Sequence, residues 1–221
     1  MKRMPNRKRL MVIVLCGVVM LVACSTAWIS EAEQIISVMI PGITNLLTLV
    51  GTLEGKNISA EDLQVMQSAG AQARSAMELI ESLIAEYKKA DAAAEPGLLN
   101  QIQGEVSVAQ SNLSGLLPVL HVKDAATQAK VRAVVGLLLA EVQSVAAIVP
   151  AVAGSGSPAM MTIVGRRAQI KSLLTAKEFV DSYNATMTAK TGELELDRVT
   201  ARLRVHLPGK FARWVNASLL K

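Results

Sequence analysis

Side chains able to do acid–base or nucleophilic chemistry are sparse in this chain of 221 residues. Its only histidines are His121 and His206. A Ser-His-Asp site needs an imidazole set beside an activated serine, yet neither histidine stands in a nucleophile motif and no G-x-S-x-G occurs. His121, at an expected helix end, reads more simply as a cap for terminal carbonyls. The Glu-x-x-His pairs with which helical bundles hold bridged metals are missing, as are a P-loop and a dinucleotide fingerprint. Haem would want an inward, mid-helix histidine. Glu141 is the one acid inside a strongly apolar helical stretch. It stands off the apolar seam, so exposure to solvent is expected rather than a role as a buried carboxylate. These residues predict no enzyme, no cofactor and no metal site.

A different chemistry is suggested at the N-terminus. Lys2, Arg3, Arg7, Lys8 and Arg9 precede the fourteen-residue apolar run Leu10 to Ala23, the layout of an export signal. The run is shorter than the roughly 20 apolar residues that span a bilayer. Leu21-Val22-Ala23-Cys24 resembles the lipobox of bacterial lipoproteins. That resemblance implies removal of residues 1–23, a diacylglyceryl group on the Cys24 thiol and an acylated new amino terminus. Ser25, where an Asp would favour inner-membrane retention in Gram-negative members, leans towards the outer membrane. Each buried methylene adds about 0.8 kcal/mol to membrane affinity, so two or three chains anchor durably. Cys16 would leave with the signal and Cys24 would carry lipid, so no thiol remains for a disulfide or a metal. The bland alternative is an uncleaved signal anchor with an ordinary Cys24.

Charge supports the same division. Five of the 23 Lys and Arg lie in residues 1–23, leaving 18 against 18 Asp and Glu. The basic balance belongs to the signal, so nucleic-acid binding is not expected. Residues 25–157 hold 7 basic and 13 acidic side chains, whereas 158–221 hold 11 basic and 5 acidic. Oppositely charged halves can dock on each other, or the basic half can face anionic lipid headgroups.

The elements that must carry these residues are helices. Six aromatics in the whole chain argue against a β-sandwich. Steps of three and four run through Ile29, Ala32, Ile36, Met39, Ile43, Leu46, Val50 and Leu53, and again from Leu63 to Tyr87, Leu99 to Leu120 and Val131 to Val149. Four such one-sided apolar faces bury one another as a four-helix bundle. Short breaks make neighbours antiparallel: Gly55 to Ile58, Ala90 to Pro96, Pro118 to Asp124, with Pro150 closing the last. Ser59 and Asp124 suit N-caps and Pro96 a first helical position. Pro41-Gly42 should kink or bend the first helix. The uncharged stretch Ile35 to Leu53 and the apolar stretch around Glu141 also permit a membrane-embedded reading.

Residues 151–157, rich in Ala, Gly and Ser, read as a linker, and 158–221 as a small, basic, helical appendage. Thr175 with Glu178 forms a capping box before Phe179, Val180, Tyr183 and Met187, a helix that Gly192 should end. Residues 199–207 alternate as a strand would, but a lone strand lacks a backbone partner, so helix is preferred. Arg198, Arg202, Lys210, Arg213 and Trp214 are candidate surface or membrane contacts, or they meet the acidic exterior of the bundle.

The expectation is thus an all-α, up-down-up-down bundle over 24–150 with a C-terminal appendage. It would be lipid-anchored through Cys24, face the periplasm, favour the outer membrane, and work with an envelope protein partner. An alternative is a carrier of an apolar ligand in a groove near Met39, Met66, Met77 and Gly70.

Overall fold

A computed structural model describes residues 7–53, 58–118, 122–152 and 174–209, with side chains from Trp28 onward. Every regular element among them is a helix: α1 (Arg7–Gly51), α2 (Ala60–Tyr87), α3 (Glu95–Leu116), α4 (Ala125–Ile148), α5 (Ala176–Thr188) and α6 (Leu194–Thr200). The fold is all-α, and α1 to α4 pack as a bundle.

The apolar seams are the reason. The described seam side chains are buried in one core, except Tyr87, which is partly exposed. Side-chain pairs fix the directions. The Trp28 and Tyr87 rings meet edge-on with centroids 5.3 Å apart, joining the start of α1's described packing to the end of α2. Tyr87 donates to Glu95 at 3.3 Å, at the start of α3, and Gln103 donates to the Pro150 carbonyl at 2.7 Å, just past α4. Sequential helices therefore alternate in direction, as short connections require.

Capping follows the sequence chemistry. Ser59 accepts from the Asp62 amide at 3.1 Å, and Asp124 from the Thr127 amide at 2.6 Å, each satisfying an orphan donor of a first turn. Pro96 lies in the first turn of α3, where its missing N–H costs nothing. The Thr175–Glu178 capping box is complete in both directions. Pro41 lies inside α1, and the helix runs on through it to Gly51.

Beyond four seams, α1 and α4 each carry a second buried stripe. On α1 it is Ile35, Val38, Gly42 and Leu49; on α4 it is Thr127, Lys130, Val134, Glu141 and Ser144. Both are covered by α5, which packs against α4 and α1 and brings Phe179, Val180, Tyr183 and Met187 into the same core. Gly42 permits this approach: a Cβ there would stand 3.2 Å from both Leu138 Cδ2 and Phe179 Cζ. Thus 176–209, within the segment expected as an appendage, forms a fifth helix on the bundle and a short sixth. Of the expected linker, residues 153–157 lie outside the described residues.

Two local expectations change. Helix α5 ends at Thr188, so Gly192 belongs to the turn into α6, where its φ of 93° suits a residue without Cβ. In 199–207, α6 ends at Thr200 and residues 203–208 form neither helix nor strand. The backbone partner that this stretch needs is a side chain. Asn184 Nδ2 donates to the Val205 carbonyl and Asn184 Oδ1 accepts from the Val205 amide, both at 2.9 Å.

Candidate functional site

Helix α4 carries the chemistry of the described chain, at the seam where α5 lies on it. Three turns apart on one face stand Lys130 and Glu141, with apolar Val134 and Leu138 between them. The face pairs antiparallel with α5, since Lys130 reaches Met187 at the end of that helix and Glu141 feels Glu178 at its start.

Lys130, only 5 % exposed, donates from Nζ to the Met187 carbonyl and to Thr200 Oγ1, each at 3.1 Å. Asp197 Oδ1 lies 3.9 Å away. Burial pushes the Lys130 ammonium down from its ordinary value, and the Asp197 charge opposes that. Asp197 also accepts from the Thr191 amide and hydroxyl, both at 2.8 Å. These bonds hold its carboxyl below the ordinary range. An ammonium at the last carbonyls of α5 also meets the negative end of that helix. This is a docking clasp: one cation of the bundle ties down the end of α5, the turn and α6.

Glu141 overturns the expectation of an exposed acid. It is 0 % exposed, and neither carboxyl oxygen has a hydrogen-bond partner among the described residues. The expectation counted one apolar seam on α4, whereas α5 covers a second. Burial, reinforced by the Glu178 charge, raises its pKa from the ordinary 4.5 to about 8. Glu178 goes the other way, because the Thr175 amide and hydroxyl bond its carboxylate and lower its pKa. The two acids are therefore split by environment, Glu178 ionised and Glu141 protonated at neutral pH.

The candidates named from sequence fall elsewhere. Cys24 lies on the α1 backbone, four residues before Trp28, where the described core begins. Arg198 and Arg202 are exposed on and just after α6, towards the N-terminal end of α4 to which Lys130 belongs. Cys24 lies towards the opposite end of α1. His206 is exposed on the irregular stretch. His121, Lys210, Arg213 and Trp214 lie outside the described residues. At Gly70 the space is occupied: Leu47 Cδ2 stands 2.5 Å from where a Cβ would be, and Met39, Met66 and Met77 are fully buried.

Sequence reasoning missed Lys130, Tyr183 and Asn184 as docking groups. The signal available was the breadth of apolar surface on α4, more than one neighbour pair can cover, next to a well-capped amphipathic helix in want of a face. Comparison of the chain with protein-family models, curated proteins and solved structures finds no match.

Proposed function

We propose that this is a lipid-anchored protein of the bacterial cell envelope, held by an acylated Cys24 and working without catalysis as an interaction module or scaffold. The observation that carries the reading is the placement of the lipobox-like Leu21-Val22-Ala23-Cys24 directly before the bundle. Cleavage before Cys24 would spare every described core side chain, the first of which is Trp28. It would leave three residues between anchor and core.

Anchorage at that end gives the module a direction. Cys24 to Gly51 spans about 40 Å at 1.5 Å per helical residue. An upright bundle would therefore carry the α1–α2 turn, the start of α4 and the exposed Arg198 and Arg202 away from the lipid surface. In that pose the two arginines serve a protein partner rather than headgroups. A photo-crosslinker placed at Arg202 in the full chain, in intact cells, tests this. A discrete protein adduct that disappears with Arg198→Glu supports the module. Crosslinks to lipid alone, or adducts indifferent to that change, contradict it.

A second reading rests on composition. Trp28–Gly51 and Ala125–Ile148 are long and apolar enough to cross a membrane. The outward faces weigh against it: α4 presents Arg132 and Gln143 to the exterior, and α1 presents Ser30, Glu31 and Thr48. Such residues suit water better than lipid.

A further inference from the structure

Glu141 is a buried acid that the clasp does not use. Its two oxygens have no hydrogen-bond partner among the described residues, and it sits where α5 closes over α4. Every other described ionisable group near that seam is answered. Lys130 has three partners, and Glu178 bonds Thr175. An unpartnered carboxyl at an otherwise apolar interface is stable there only with its proton on, since the neutral acid costs far less to bury than the anion.

The charges around it make ionisation worse. From α5 the facing group is Glu178, an anion that cannot take up a proton without weakening the cap of its own helix. Lys177 on that turn is exposed and paired with Asp181 at 2.7 Å. From α1 no charged residue occurs between Gln34 and Leu53. From α3 the only charged residue past the first turn is the half-buried Glu105. On α4 itself the buried cation is Lys130, about 16 Å further along the helix at 1.5 Å per residue, and it is committed to Met187, Thr200 and Asp197.

We infer that Glu141 is a proton-operated latch: α5 and α6 lie docked on the bundle while Glu141 holds a proton, and loss of that proton releases them while α1 to α4 stay packed. Asymmetry of contact permits partial release. The four seams of α1 to α4 are continuous without α5, whereas α5 and α6 rest on the second stripes, the Lys130 clasp and the Tyr183 bond to Gly42 among the described residues. The upward shift of the Glu141 pKa agrees, and its cause is the same burial. For an acid that is protonated when docked and has its ordinary pKa when released, the docking constant falls as pH rises, by up to tenfold per unit between the two pKa values.

Hydrogen exchange read by mass spectrometry on the full chain, from about pH 5 to about pH 9 and corrected for intrinsic exchange, tests the latch against Glu141→Gln. In the wild type, protection of amides in 176–209 should fall by up to tenfold per pH unit and stay below that of α2 and α3 throughout, since release of α5 and α6 is a smaller opening than unfolding of the bundle. In the variant the protection of 176–209 should not depend on pH. Glu141→Met serves the same comparison if the glutamine variant does not fold. A protonated-carboxyl infrared band present at neutral pH and lost in either variant supports the assignment. Equal pH dependence in wild type and variant, a flat wild-type response, or protection in 176–209 no lower than in α2 and α3 would overturn it.

Discussion

The Tyr183 hydroxyl donates to the Gly42 carbonyl at 3.2 Å, across 141 residues of sequence. It ties the middle of α5 to α1 at Gly42, where α1 has no side chain to hold α5 away. The ring packs 5.5 Å from that of Phe179, and burial pushes the phenol above its ordinary value. Tyr183→Phe keeps the ring and loses the bond, so it should cost about 1 kcal/mol. Tyr183→Ala also opens a cavity and should cost about 3–5 kcal/mol. Urea unfolding of both variants measures the difference.

Lys130→Met removes the clasp while preserving the bulk of the stem. The Met187 carbonyl loses a donor and Asp197 a cation, a loss of about 1–3 kcal/mol. The loss should fall on α5 and α6 first. Near-ultraviolet circular dichroism suits the measurement, since Phe179 and Tyr183 are two of the chain's six aromatics. A variant as stable as the wild type would mean that the clasp is ornamental.

Asn184 holds Val205 by two hydrogen bonds, and the trypsin sites Arg202 and Arg204 lie just before the held residue. Asn184→Ala should lower the cost of opening this stretch by about 2 kcal/mol, taking each bond at about 1. Limited trypsin digestion should then cut after Arg204 at least several-fold faster than in the wild type. Unchanged cleavage would place the restraint on 203–208 elsewhere.

Global stability should depend on pH through Glu141. Its pKa is 4.5 when exposed and about 8 when folded, so between those values the folded chain binds the proton that the unfolded chain has lost. The contribution is complete below pH 4.5, declines by up to about 1.4 kcal/mol per unit as pH rises, and stops declining above the folded value. Glu141→Leu should remove this decline and be the more stable protein on the alkaline side. Denaturant midpoints across that range decide it.

The sequence carried the bundle more legibly than it carried the docking. Seam residues such as Ile36, Met77, Leu113 and Leu138 are found by counting threes and fours, because a helical face is a local property. Ser59, Asp124 and Thr175 were equally readable, since a cap and its amide lie three residues apart. Glu141 was misread because its burial depends on a helix that begins 35 residues later. Lys130 and Asn184 were missed for the same reason: their partners Met187 and Val205 are set by tertiary contact. The alternating run from Val199 raised a sound question about where its backbone bonds would go. The answer, one asparagine amide, has no periodicity to detect.

The central claim, lipid anchorage at Cys24, is tested most directly by the intact mass of the membrane-extracted protein, wild type beside Cys24→Ala. The account predicts a wild-type mass equal to residues 24–221 plus acyl chains, with processing and acylation both lost in the variant. An unprocessed, unacylated chain in both would contradict it, and would turn attention to Trp28–Gly51 and Ala125–Ile148 as membrane-embedded helices.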